Sequence, residues 1–271
     1  MTLRCPAKVN LFLAVGPKDS RNYHPLRTIF QAVDLCDVIT LAPSTTNRHQ
    51  VLFDDPSIPE MNTISRTLRL LSEVVSIPRL TVSVQKHIPP ESGLGGGSSN
   101  AAAIIRAAQR LAKTTIPEGE LRGIAEAIGM DVPFFLIGGR ARGEGYGEKV
   151  TALPDAASQW IVLARPVIGC STPLMYQKLD EDPYPWRDFP TEDEVYNDFE
   201  KTAPFESIEL IESLKSNGAE NATLCGSGSA VFGLFGDRKL AEGAKKALHD
   251  LGAPKIWLTR TLSRSESLRA D

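Results

Sequence analysis

The most constraining stretch of this sequence is Gly93-Leu94-Gly95-Gly96-Gly97-Ser98-Ser99-Asn100, because it runs without a break into a helical pattern. Ala101, Ile104, Ile105, Ala108, Leu111 and Ala112 follow at the i, i+3, i+4, i+7 spacing of an amphipathic helix. Ser98, Ser99 or Asn100 is expected to cap it. Glycines reach backbone conformations closed to other residues and let a ligand approach the amides, while a helix N-terminus adds unpaired N–H groups and positive potential. The junction therefore predicts an anion site, with phosphate as its natural guest. Spacing excludes two familiar phosphate signatures. No Lys-Ser or Lys-Thr completes a Walker A pattern, and Gly93-x-Gly95-x-x-Ser98 lacks the third glycine of the dinucleotide fingerprint.

Bulk properties narrow the class of guest. Thirty Lys plus Arg against 33 Asp plus Glu leave a formal charge of −3, with no basic excess to drive attachment to a nucleic-acid backbone. Hydrophobic residues at 42% and charged residues at 23% match a globular domain rather than a disordered or fibrous chain. The longest apolar stretches, such as Val132 to Ile137, fall far short of the roughly 20 residues that cross a bilayer. No membrane partner is expected. The N-terminal MTLRCPAKVNLFLAV carries Lys8 and Asn10 inside its apolar run and no small-residue cleavage site, so a cytoplasmic location is expected. Cys5, Cys36, Cys170 and Cys225 lie far apart, which reads as reduced thiols rather than a metal site or a disulfide framework.

Periodicity along the chain predicts mixed α+β architecture. A half-buried strand is expected over Ala7 to Val15, with Lys8 and Asn10 on one polar face. One or two strands are expected in Thr28 to Leu41, and another in Leu80 to Gln85 before the turn at Pro89-Pro90. A helix starts after Pro117 and stops at Gly129, and Gly138 to Gly147 reads as a loop or hairpin. Further strands are expected from Trp160, at Ala230 to Phe235 and at Ile256 to Leu262. Helices closed by Gly218 and Gly252 precede the last two, and Asp180 to Glu194 reads as a surface connection. A domain boundary near residue 150 separates 1–150 from 151–271.

Few residues have chemistry to offer the phosphate site. Asp131, between Met130 and Val132-Pro133, can cap the following helix, and it can also orient or deprotonate an attacking hydroxyl if it sits beside phosphate. Lys8, on the polar face of the first strand, can neutralise developing charge there. Gly226-Ser227-Gly228-Ser229 is a second small-residue cluster, as readily a tight turn as a ligand contact. His24 has no other histidine at ligand spacing, which argues against a metal role and leaves base or sugar recognition or turn capping. Tyr23 and Tyr176 are stacking candidates, or half-buried packing residues.

Taken in order, Pro6-Ala7-Lys8-Val9-Asn10, Gly93-Leu94-Gly95-Gly96-Gly97-Ser98-Ser99-Asn100-Ala101-Ala102 and Gly226-Ser227-Gly228-Ser229-Ala230 resemble the GHMP kinases, named for galactokinase, homoserine kinase, mevalonate kinase and phosphomevalonate kinase. The likeness extends through Tyr23-His24 with Leu26 and Phe30-Gln31, and through Gly129-x-Asp131-Val132-Pro133-Phe134-Phe135, from residue 6 to about 235. It implies a two-domain fold: an N-terminal ATP-binding domain like ribosomal protein S5 domain 2 over 1–150, and a C-terminal ferredoxin-like α/β sandwich over 151–271. The active site would lie in the cleft between them. It also implies transfer of the ATP γ-phosphoryl group to the 2-hydroxyl of 4-diphosphocytidyl-2-C-methyl-D-erythritol, in the non-mevalonate route to isoprenoid precursors. Lys8 and Asp131 then match the catalytic pair. Pro89, Pro90, Glu91, Ser92, Gly93, Leu94, Gly95, Gly96, Gly97, Ser98 and Ser99 match the segment that holds ATP. Asn10, Tyr23 and His24 match positions that contact the cytidyl substrate, and Thr172 and Tyr176 the opposite wall, where the family often has Phe. Asn22 and Pro25 depart from the pattern, since a glycine commonly precedes Tyr-His. Mg2+ is expected from the charge of the transferred group, with Ser98 or Ser99 as candidate donors. A GHMP kinase for another alcohol, such as homoserine or mevalonate, and a silent metabolite-binding protein are the alternatives. An aliphatic substrate would give the aromatic residues no base to stack on.

Overall fold

The protein is described from a computed structural model covering residues 1–112, 114–167, 169–181, 185–191 and 194–269. Strand β1 spans Thr2–Val15 and pairs antiparallel with β2, Leu26–Pro43, which is one continuous strand. β1 is buried on both faces, not half-buried as its alternation suggested. A register shift between Pro6 and Ala7 changes which face each residue takes. Leu3 and Cys5 pack in the cluster beneath the helices, whereas Ala7 and Val9 pack against the second sheet. Lys8 is thereby turned toward the helical side, its ammonium 5.5 Å from the centre of the Phe30 ring.

β2 also pairs with β4, Leu80–Gln85, and with β5, Arg140–Glu144. Gly138 to Gly147 does form a hairpin, in which β5 turns back into β6, Lys149–Ala152. Two elements of this half were not anticipated: β3, Gln50–Phe53, parallel to β4, and α1, Thr63–Val74, whose Ile64, Leu68 and Leu71 form a buried apolar stripe. α1 starts from a capping box in which Asn62 and Ser65 serve each other's backbone. Helices α2, Gly96–Leu111, α3, Glu118–Ile128, and α4, Val132–Ile137, cover this sheet.

The second sheet holds β7, Trp160–Arg165, β9, Asn221–Leu224, β10, Val231–Phe235, and β11, Lys255–Arg260, in the order β11-β7-β10-β9 with all pairs antiparallel. With α6, Phe205–Ser216, and α7, Arg238–Asp250, packed on it, this is the ferredoxin-like split βαβ arrangement. Helix α5, Thr172–Glu181, takes in Asp180 and Glu181, which the sequence placed in a connection; Pro173 falls in its first turn, where proline is tolerated. Of that stretch, 182–184 and 192–193 lie outside the described residues. β8, Tyr196–Asn197, returns to pair parallel with β1 in the first sheet. A short α8, Arg264–Ser267, follows. Among the described residues no helix is long and apolar enough to cross a membrane.

Where the sheets meet, Ala7 and Val9 pack with Ile161, Leu163, Phe232 and Leu234. Leu94, in the first small-residue segment, and Cys225, immediately before the second, belong to the same cluster. Burial of these two side chains fixes both loops at the seam.

Candidate active site

Helix α2 begins inside the glycine run. Gly95 takes a left-handed backbone (φ 74°) as the N-cap, and no side chain caps the helix. Ser98, Ser99 and Asn100 therefore sit within its opening turns rather than capping them, because the chain had already entered the helix at Gly96. The amides of that turn are left for a ligand. An alanine methyl at Gly95 would lie 2.8 Å from Phe135 and 3.2 Å from Lys8, so the loop closes onto the lysine only as glycine. The Lys8 N–H donates to the Leu94 carbonyl at 3.0 Å, tying strand β1 to the loop. At the head of the segment Glu91 also adopts a left-handed backbone (φ 54°), and Ser92 donates to the Pro89 carbonyl at 2.7 Å.

Lys8 and Asp131 converge although 123 positions separate them in sequence (131 less 8). Their charged atoms stand 3.4 Å apart, the lysine buried and the carboxylate one-third exposed. Asp131 holds the N-cap position of α4 yet makes no capping bond, so its side chain is free to face the lysine. Lys8 donates to Asn10 Oδ1 at 2.8 Å, Asn10 Nδ2 donates to Thr28 Oγ1 at 2.7 Å, and the Thr28 hydroxyl donates to the Phe12 carbonyl at 2.8 Å. This chain satisfies each buried polar group and fixes the ammonium at one point.

The second small-residue segment abuts the first. A methyl at Gly93 (φ 77°) would fall 1.9 Å from the Cys225 carbonyl oxygen, and one at Gly226 3.5 Å from Asn10 Oδ1. Ser227 and Thr172 share a hydroxyl hydrogen bond of 2.8 Å, which carries the start of α5 to the same place. Burial pushes the Cys225 thiol up to about 12, leaving it a packing group.

These groups line one cavity of about 640 Å³. Of the residues expected at the site, Lys8, Asn10, Pro89 to Gly93, Gly95 to Ser98, Asp131, Thr172 and Tyr176 face it. Leu94 and Ser99 are buried and do not, and Tyr23 and His24 line an adjoining hollow of about 440 Å³ that shares Met130, Tyr146, Thr172 and Tyr176 with it. The His24 ring stacks on Tyr176 (centroids 5.0 Å apart, planes at 23°), with Nδ1 2.8 Å from the Gly16 carbonyl and Nε2 3.4 Å from the Asp180 carboxylate. Tyr176 also meets Phe199 edge-on, and burial, reinforced by the Asp131 charge, pushes its phenol up to about 12. Tyr23 is exposed and lies against Tyr146. Asn22 has φ 64°, which accounts for the glycine common at this position: asparagine is among the few other residues that accept it.

Sequence reasoning missed several walls of the cavity. Phe53 and Ile58 form an apolar side, and Asn62 and Thr63 bring the N-terminus of α1 opposite that of α2, where Thr63 donates to the Gly97 carbonyl at 3.0 Å. Lys86 supplies a second ammonium. Its partner Asp37 could have been noticed as an acid inside the apolar run Val33 to Leu41. Among the described residues no group of three or more His, Cys, Asp or Glu stands at metal-binding spacing.

An uncapped glycine-led helix facing a lysine–aspartate pair, between an α+β half and a ferredoxin-like half, defines a GHMP-type small-molecule kinase fold. The family model for the GHMP kinases N terminal domain matches residues 62–139, and that for the GHMP kinases C terminal domain matches 201–253. The chain is 34% identical over 263 residues to a 4-diphosphocytidyl-2-C-methyl-D-erythritol kinase of Pelobacter propionicus, covering 92% of this chain and 94% of that one. It is 36% identical over 276 residues to the enzyme of that name from Citrifermentans bemidjiense, covering 95% and 96%. A solved structure of 4-(cytidine 5'-diphospho)-2C-methyl-D-erythritol kinase superposes with a TM-score of 0.83 at 30% identity, over 96% of this chain and 99% of that one. The chain belongs to the 4-diphosphocytidyl-2-C-methyl-D-erythritol kinase family of GHMP kinases.

Proposed function

We propose that this protein transfers the γ-phosphoryl group of ATP to the 2-hydroxyl of 4-diphosphocytidyl-2-C-methyl-D-erythritol, acting in the cytoplasm on the non-mevalonate route to isoprenoid precursors. Relatives of that name at 34% and 36% identity over nearly the whole chain support the substrate. The observation that carries the chemistry is the Lys8–Asp131 pair, 3.4 Å apart and in one cavity with the uncapped start of α2. A division into domains 1–150 and 151–271 is supported by the change of sheet between β6, ending at Ala152, and β7, beginning at Trp160.

ATP lies along Pro89 to Ser98, its phosphates on the amides of the first turn of α2 and its base toward Phe53 and Ile58. The alcohol enters from the hollow of Tyr23, His24 and Tyr176, with the cytosine among these rings. Its 2-hydroxyl then falls between Lys8 and Asp131. Asp131 takes the hydroxyl proton, the oxygen bonds the γ-phosphorus, and the bond from that phosphorus to its bridging oxygen breaks to leave ADP. Lys8, held by Asn10 and Thr28, faces the negative charge gathering on the transferred group. Mg2+ takes one or two protein carboxylates and draws the rest of its shell from phosphate and water; Glu91 and Asp131 line this cavity, and a hydroxyl would add to them. Ser98, on the cavity wall, fits that role better than Ser99, which is buried away from it. Bound there, the ion would neutralise phosphate charge.

A silent binding protein would have no need of an aspartate left uncapping and turned to a buried lysine. Turnover measured with ATP and the cytidyl alcohol, against homoserine and mevalonate, tests the substrate; activity confined to either aliphatic alcohol rejects it. Asp131→Asn should lower turnover at least about a hundredfold while leaving ATP affinity nearly unchanged, the scale of a lost positioned base. Near-normal turnover would remove Asp131 from this role.

A further inference from the structure

Only two carboxylates among the described residues are fully buried, Asp37 and Asp198, and Asp37 has no part in the chemistry above. Asp198 fixes strand β1 by accepting the Val15 N–H at 2.8 Å, and its other partners are Tyr196 and Lys201. Asp37 is placed differently. Its Oδ1 accepts the N–H groups of His87 (2.8 Å) and Ile88 (2.9 Å), the two residues that lead into Pro89. Its Oδ2 accepts Asn100 Nδ2 of helix α2 at 3.0 Å and the ammonium of Lys86. Lys86 also reaches Asn100 Oδ1 at 3.3 Å and lies on the cavity wall, 3.2 Å from where a methyl on Gly96 would stand.

One buried anion thus joins three pieces that flank the glycine loop: strand β2, the chain entering the loop, and the helix leaving it. Isolated burial of a carboxylate is costly, and this one is met by two backbone donors, an amide and a cation. Simple stability would be served as well by apolar residues in the same space. What apolar residues would not do is hold an ammonium at the mouth of the phosphate site with its hydrogens divided between fixed acceptors. We infer that Asp37 is a positioning residue for the nucleotide: it sets the place of Lys86 and the path of 86–88, and through them the affinity for the phosphates at the start of α2. The inference rests on the kinase reading only in naming the anion as a nucleotide phosphate.

The test is direct calorimetric binding of ADP and of a non-hydrolysable ATP analogue to Asp37→Asn, with no alcohol present, followed by steady-state kinetics. Asparagine keeps an acceptor for His87 and Ile88, but the amide nitrogen that replaces Oδ2 only donates and accepts from neither Lys86 nor Asn100. Nucleotide affinity should fall about tenfold, the loss expected of a charge-assisted bond, with the KM for the alcohol within about twofold. On a Lys86→Gln background the same change should add less than about threefold, since the two act together. Asn100→Ala, which keeps Asp37 and Lys86, should weaken nucleotide binding selectively by a few-fold and serves if Asp37→Asn does not fold. Unchanged or tighter nucleotide binding in either variant, or equal losses for nucleotide and alcohol, would overturn the assignment. Wild-type nucleotide binding without turnover of the cytidyl alcohol would refute the substrate reading and leave this one standing.

Discussion

Substituting glycines within the run that opens α2 should separate two kinds of glycine. In Gly93→Ala the new methyl would lie 1.9 Å from the Cys225 carbonyl oxygen, a backbone atom that cannot rotate away, and the residue would have to keep φ 77°. The left-handed backbone costs alanine about 1 kcal/mol. Displacing one loop from the other to clear the methyl costs a further amount on the order of 1–3 kcal/mol, as overpacking does. Against a total stability of roughly 5–15 kcal/mol, a loss of about 3 kcal/mol should lower the urea midpoint by about 1–2 M at a typical slope. Turnover should fall at least tenfold, because separating Gly93 from Gly226 also disturbs Asn10, which holds Lys8. Gly97→Ala is the control. Its backbone is ordinary, its methyl would meet only the Thr63 side chain at 3.4 Å, and it lies in the helix. Its urea midpoint should match or exceed the parent's, alanine being the better helix former by up to about 1 kcal/mol. Equal midpoints for the two variants would refute the idea that carbonyl proximity, rather than helix propensity, dictates the glycine at 93.

Thiol labelling should follow burial: Cys5 and Cys225, both pushed up to about 12 by desolvation, should resist Ellman's reagent at pH 8 until the chain is unfolded, and rapid native labelling of either would contradict their packing. Acid stability should carry a signature of Glu266, whose carboxyl is held down at about 2 by the Ser263 hydroxyl, the Ser263 N–H and Arg260. Because its unfolded value is near 4.5, the unfolded chain binds the extra proton between these limits, so this contribution is complete above pH 4.5 and is lost as pH falls toward 2. Glu266→Gln should therefore be less stable than the parent at pH 7, with the difference shrinking as urea titrations are moved down through that window; a constant difference would rule out the ionised cap.

Much of the site was legible because its chemistry is local. A glycine run leading into an amphipathic helix specifies a helix start with free amides whatever surrounds it, and the run Gly129 to Phe135 marks both the end of α3 and the start of α4. Strong periodicity gave β4 to the residue. β3, α5 and β9 lack that signal and went unread, since their stability comes from neighbours rather than from their own pattern; α1 also went unread, although Ile64, Leu68 and Leu71 behind the Asn62 cap form an apolar stripe.

By itself the sequence determined that a glycine-led helix start exists and that a lysine, an aspartate and a few aromatic residues are at hand to face it. Only the tertiary structure decided which of them meet. The shift at Pro6 and Ala7 chooses the face on which Lys8 points, and the pairing of loops from both halves at Gly93 and Cys225 closes the cavity. Burial gives Asp37 its four partners, including Asn100, 63 residues away. Contacts between distant segments depend on register and packing, and no spacing along a chain encodes them.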